Sequence, residues 1–192
     1  MRNYEKIKEF MMGRLQSNLA PDLFYHGVHH TRDVLAAADL IGADEKLSER
    51  DFFLLRVAIL YHDAGFMKTY PDHEEASCVL ARTDLPGFGL TNEEIEIVCG
   101  MIMATKIPQS PKTHLEKIIC DADLEYLGTN SFDAISNSLF EEVKIYGNVK
   151  SLHQWNEIQV KFIGAHHYYT HFCIKNRESE KQKHLAEVKA QL

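Results

Sequence analysis

Residues 52–61, FFLLRVAILY, carry a single charge, Arg56, and run straight into His62 and Asp63. A segment that is apolar nearly all round must be covered on every side, so it reads as a buried central helix, with a fully buried strand as the alternative that a short apolar run leaves open. Ser48 with Asp51 resembles an N-terminal cap and favours the helix. Ending such an element on an imidazole and a carboxylate costs several kcal/mol unless the charge is paired or bound to metal. Either a cation such as Arg56 or Lys68 compensates it, or a divalent metal does. Imidazole nitrogen and carboxylate oxygen together suit Zn, Mn, Fe or Mg according to geometry.

Helical spacing continues along the rest of the chain. Ile7, Phe10, Met11, Leu15 and Leu19 form one stripe, closed by Pro21. A second helix is expected from Tyr25 or His26 to Ile41, ended by Gly42, and a shorter one from His73 to about Thr83, followed by the loop PGFG. Thr91 with Glu94 makes a capping box ahead of Ile95, Val98, Cys99, Ile102 and Met103, and Pro108 and Pro111 end that run. Leu115, Ile118, Ile119 and Ala122 mark another helix. Trp155, Ile158, Phe162, Ala165, Tyr169 and Phe172 predict one long packed helix, and the charged tail from Lys175 reads as solvated. No alternating run reads as a strand and no internal repeat is present, so the expected class is all-α, a helical bundle. With 192 residues, 45% of them hydrophobic, one domain over residues 1–192 is expected, with helices after residue 131 packing on a motif core of about residues 20–130.

The net charge of −7 argues against sequence-independent binding of nucleic acid or of an anionic membrane, so any anionic substrate needs a locally positive site. No run reaches the ~18 apolar residues of a membrane span, and MRNYEKIKEF lacks a signal-peptide core, so a soluble cytoplasmic protein is expected. Cys78, Cys99, Cys120 and Cys173 form no CxxC pair and read as small core hydrophobes.

The stretch YHGVHHTRDV, residues 25–34, places three histidines in five residues. At about 100° per residue, His30 shares a face with Val34, Ala37, Ala38 and Ile41, His26 lies one turn back on the same side, and His29 points to the edge. Core histidines bonded to backbone would explain this helix taken alone. In DADL, residues 121–124, Asp123 is the better placed of the two aspartates to face inward, while a solvated face suits either one singly. One metal site made of His30, His62, Asp63 and Asp123 is simpler than three unrelated compensations on three separate elements.

These residues carry a resemblance. H…HD…D in this order is similar to the HD superfamily of metal-dependent phosphohydrolases, over roughly residues 20–130. YHGVHHTRDV resembles the YHNxxHxxDV stretch of cyclic-nucleotide phosphodiesterases within that superfamily, ILYHDAGF their metal-binding HD segment, MIMAT their VLATD segment and CDADL their CADL. The resemblance implies an HD-domain helical bundle in which His30, His62, Asp63 and Asp123 hold a first divalent ion, Asp63 bridges to a second, and His26 is the general acid. Zn, Mn, Mg, Fe and Ni are not distinguished by it. Gly27 stands where those phosphodiesterases have asparagine and Lys106 where they have aspartate; Gln154, Gln159 and Phe162 lie in the general region of their nucleobase-binding glutamine and phenylalanine. The implied activity is hydrolysis of a small-molecule phosphate ester, a phosphodiester or nucleotide. The alternative is an HD signalling module that binds metal and nucleotide without turnover.

Two metals suit phosphate esters because they ionise water near neutral pH and neutralise phosphoryl charge. A general acid adds ~10²–10⁴-fold. His73 in HEEAS is a candidate contact for the second metal or the phosphate, or a helix-start histidine. Lys68 and Lys106 are candidate phosphate partners, or solvated lysines. His167 and His171 in AHHYYTH have no acidic or cysteine ligand beside them and read as aromatic packing with a rim histidine, and Tyr168, Tyr169 and Trp155 are candidate pocket walls.

Overall fold

A computed structural model describes residues 4–147 and 149–192. Ten helices, and no strand among the described residues, make the protein all-α as expected. They are α1 (Tyr4–Asn18), α2 (Val28–Asp44), α3 (Glu49–Tyr61), α4 (His73–Asp84) and α5 (Asn92–Thr105), then α6 (His114–Asp123), α7 (Phe132–Tyr146), α8 (Leu152–Ala165), α9 (His171–Asn176) and α10 (Glu178–Lys189).

Helix α3 is the centre. Leu54, Leu55, Val57, Ala58, Ile59, Leu60 and Tyr61 are all buried, and α1, α2, α4, α5 and α6 pack around it. Ser48 caps it by accepting from Asp51 N at 3.1 Å, and Thr91 and Thr113 open α5 and α6 with complete capping boxes. All four cysteines are free and buried. A second cluster of Leu124, Leu127, Phe132, Ile163, Leu185 and Val188 ties α8 and α10 to the end of α6.

Several elements depart from the spacing rules, each for a tertiary reason. Helix α2 starts at Val28, so His26 lies in the preceding loop rather than on its face. Gly42 does not end α2; it lies buried inside the helix, where a side chain would strike the Phe52 ring. The long helix expected from Trp155 to Phe172 is broken between Ala165 and His171. There, buried Asp121 accepts from Tyr169 N at 2.9 Å and from Thr170 N at 2.7 Å, taking backbone donors that a continuous helix would use internally. The tail from Lys175 is not solvated throughout: Lys181, His184, Leu185 and Val188 form the buried stripe of α10, packed on α8.

Candidate metal centre

The HD pair sits where α3 ends. His62 uses Nδ1 on its own helix, donating to Ile59 O at 2.8 Å, which leaves Nε2 for the interior. Ser77 of α4 locks the turn that follows, accepting from Gly65 N and donating to His62 O, both at 2.8 Å. Gly65 has no room for a side chain because the His73 backbone lies directly against it. That close approach sets His73, the first residue of α4, beside Asp63, with Nε2 at 3.4 Å from Asp63 Oδ1.

His30 comes from α2 and Asp123 from the last turn of α6. His30 Nε2 lies 3.1 Å from Asp123 Oδ1, 3.3 Å from His62 Nε2 and 3.4 Å from Asp63 Oδ2. His62 Nε2 in turn lies 3.2 Å from Asp63 Oδ2 and 3.7 Å from Asp123 Oδ1. Neighbouring ligands on one cation with bonds of 2.0–2.2 Å are separated by about 2.8–3.6 Å, so these gaps have the size of an ion's coordination shell. His30, His62 and Asp123 can hold a metal ion together, their ligand atoms all lying within 4.8 Å of one another.

The electrostatics agree with that use. Burial pushes both carboxyl groups up, but the imidazoles override it: His62 and His73 hold Asp63 well below the usual carboxylate range, and His30 and His62 bring Asp123 down to about 2. Burial lowers His62 while Asp63 and Asp123 raise it well above the ordinary value. Neither lysine nor arginine pairs with these carboxylates among the described residues: Arg56 donates instead to Asp39 at 2.7 Å, and Lys68 is exposed. Asp63 Oδ2 is buried without a hydrogen-bond partner. A buried carboxylate oxygen set among imidazole nitrogens, with no hydrogen bond of its own, belongs to a donor set that suits a divalent ion.

His26 reaches the centre through a residue that the sequence analysis did not single out. Glu142 of α7 is fully buried, and its carboxylate accepts from Tyr25 N at 2.8 Å, His26 N at 3.0 Å and Tyr70 OH at 3.1 Å, while also engaging His26 Nδ1. Burial raises the Glu142 carboxyl, yet its bonds to His26 bring it below the ordinary value. The only sequence signal was an acidic residue three positions after Leu139 and seven after Ile135, on the apolar side of its helix. His26 stacks on Phe66 with ring centroids 4.2 Å apart.

A cavity of about 270 Å³ opens over the centre, with His26, Asp63, His73 and Asp123 on its polar side. Tyr126, Leu139, Trp155, Ile158, Gln159 and Phe162 also line it and make the lining largely apolar. Lys106 stands elsewhere, bound at the surface to Asp72 at 2.7 Å and Glu75 at 2.6 Å, and Lys68 borders a separate depression. Gln154 lies outside the cavity and accepts from Lys150 N at 2.8 Å. His167 and His171 are exposed, and Tyr168 is buried away from the cavity with its hydroxyl donating to Leu124 O at 3.3 Å.

The model of one family, the HD domain, matches residues 27–125, just over half of the chain, and the protein belongs to that family. HD domains bind divalent metals and are generally hydrolases. The matched region holds His30, His62, Asp63 and Asp123; His26 and Glu142 fall outside it. No curated protein and no solved structure shows a match.

Proposed function

We propose that the protein is a metal-dependent phosphohydrolase whose substrate is a small phosphate ester, a phosphodiester or nucleotide, cleaved in the cavity over the HD cluster. The unpartnered Asp63 Oδ2, set within 3.4 Å of two imidazole nitrogens and with no lysine or arginine to compensate it, carries the reading. His30, His62, Asp63 and Asp123 would hold the first ion, and Asp63 Oδ1 with His73 would face a second. A divalent cation there supplies a water that ionises near neutral pH and neutralises charge on the phosphoryl oxygens. The chain does the rest. Glu142 grips His26 by backbone nitrogen and by Nδ1, so Nε2 is the edge left for the cavity. In its cationic form that edge carries the proton given to the departing oxygen. The apolar side excludes water from the non-phosphate part of the substrate.

Elemental analysis of freshly purified protein, followed by hydrolysis of a panel of phosphomonoesters, phosphodiesters and nucleotides, tests this directly. Bound divalent metal and turnover of at least one ester are expected, with His26→Ala lowering turnover ~10²–10⁴-fold at unchanged metal content. Full turnover by the His26 variant removes the assigned acid. Retained metal with no hydrolysis of any ester leaves only a binding module.

A further inference from the structure

The cavity over the metal centre continues into a second hollow of about 480 Å³, and Ile107, Leu124, Ile158 and Phe162 border both. Ile107 is 53% exposed and Ile158 43%, so the border shared by the two hollows carries large apolar side chains that stand in water. An exposed isoleucine alone needs no explanation; two of them on the seam between adjoining apolar hollows mark a surface that apolar matter covers.

The polar side chains along these walls are already engaged within the protein. Of those lining the first cavity outside the metal centre, Thr105 donates to Ile102 O at 2.8 Å and Trp155 Nε1 to Ser136 Oγ at 3.2 Å. Gln159 is held at both ends of its amide, accepting from Ser136 Oγ at 2.6 Å and donating to Asn156 Oδ1 at 3.4 Å. The hydroxyls of Tyr25 and Tyr126 bond to each other. On the second hollow, Gln109 turns inward to donate to Cys120 O at 3.1 Å. Burial, with Lys181 adding to it, brings His166 down to about 4 and keeps it neutral at physiological pH. Among the described residues no lysine or arginine borders the first cavity, and Lys161, on the second, is exposed to solvent. A charged or hydrogen-bonding group would leave water here for walls with few partners to offer. A hydrocarbon loses nothing and gains about two- to fourfold in affinity for each methylene covered.

We propose that the substrate carries a hydrocarbon arm: its phosphoryl group lies at the metal centre, and an alkyl chain runs past Ile107 and Ile158 into the second hollow. This rests on the phosphohydrolase reading and selects, within it, an alkyl phosphate ester over a nucleotide. A nucleobase would bring ring donors and acceptors against side chains already bonded to one another.

A homologous series measures the arm. Methyl, butyl and hexyl p-nitrophenyl phosphates all release p-nitrophenolate when water attacks phosphorus and keep the alkyl group on the phosphate; thymidine 5′-(p-nitrophenyl phosphate) carries a nucleobase in its place. With metal-loaded protein, kcat/KM is expected to rise about thirtyfold or more from methyl to hexyl, mainly through KM, and the thymidine ester should fall below the hexyl ester. Ile158→Asp and Ile107→Asp, both at exposed positions, should each lower the hexyl-to-methyl ratio about tenfold, and Ile158→Leu should keep it. A ratio near one in the wild type, a ratio that neither aspartate variant lowers, or a thymidine ester cleaved faster than the hexyl ester overturns the hydrocarbon arm.

Binding separates this proposal from the one beneath it. Trp155, the chain's one tryptophan, borders the first cavity, so its fluorescence should report ligands that are not cleaved. Hexylphosphonate, whose P–C bond resists hydrolysis, should bind about thirtyfold more tightly than methylphosphonate. If no ester is hydrolysed but this difference holds in the wild type and shrinks in Ile158→Asp, the phosphohydrolase reading fails and the hydrocarbon site stands. Esters hydrolysed equally well whatever their chain length leave the phosphohydrolase reading and remove the arm. Equal binding of the two phosphonates removes it as well.

Discussion

Asp121 and Asp123 lie two residues apart on α6 and are used in opposite ways. Asp121 is fully buried and answered by the fold: Tyr169 N at 2.9 Å, Thr170 N at 2.7 Å and the Thr170 hydroxyl at 2.6 Å all donate to it. Burial still pushes its carboxyl up, with those bonds offsetting part of the rise. Asp123 meets His30 and His62, beside an Asp63 oxygen that faces the same two imidazoles without a hydrogen bond. A carboxylate saturated by backbone donors joins two parts of a chain. One crowded, together with a second carboxylate, against imidazole nitrogens is set up for a cation from outside.

Alanine at each position should break the pair apart. Asp123→Ala is expected to lower bound metal at least tenfold and ester hydrolysis about a thousandfold or more, read by elemental analysis and initial rates. Asp121→Ala should leave metal stoichiometry intact and instead cost about 3–5 kcal/mol in urea unfolding, because buried donors on residues 169 and 170 lose their acceptor. Metal loss from the Asp121 variant without loss of stability would reverse the contrast.

Glu142 sharpens it, being answered by the fold like Asp121 yet turned toward the centre through His26. Glu142→Gln should retain metal and lower kcat about ten- to a hundredfold, less than His26→Ala, with a displaced pH–rate profile. A variant that loses stability alone would place Glu142 with Asp121. His166 gives the smallest effect. Its folded pKa of about 4 lies below the ordinary 6.5, so the unfolded chain binds the proton first and stability falls as pH drops from 6.5 toward 4. The loss is about 1–2 kcal/mol at pH 5, and His166→Phe should flatten that part of the urea-unfolding pH profile.

Much of the architecture was legible because it is local. The apolar run of α3 demands burial whatever covers it, and the Thr91–Glu94 box sets the start of α5 within four residues. The cluster was legible for a related reason: an HD pair at the end of such a helix needs compensation, and only a few other elements carried histidine or aspartate on an apolar face. His26 borders the cavity for a reason that helical spacing did not give, since it belongs to the loop before α2 and is held there by Glu142, 116 residues away. The stripe Lys181, His184, Leu185 and Val188 was present at helical spacing but masked by charge. Lys181 tolerates full burial because Glu178 at 2.9 Å and the His166 carbonyl share its protons.

Periodicity, caps and the kinds of side chain available were written along the chain, and they determined an all-helical protein with imidazoles and carboxylates directed at its interior. Which of those polar atoms finds a partner was decided only in three dimensions. Asp121 is quenched by a segment 48 residues away, while Asp63 Oδ2 meets only the imidazoles of His30 and His62 and makes no hydrogen bond. Helix formation is governed by neighbours within about one turn, whereas hydrogen-bond satisfaction depends on distant segments brought together by packing.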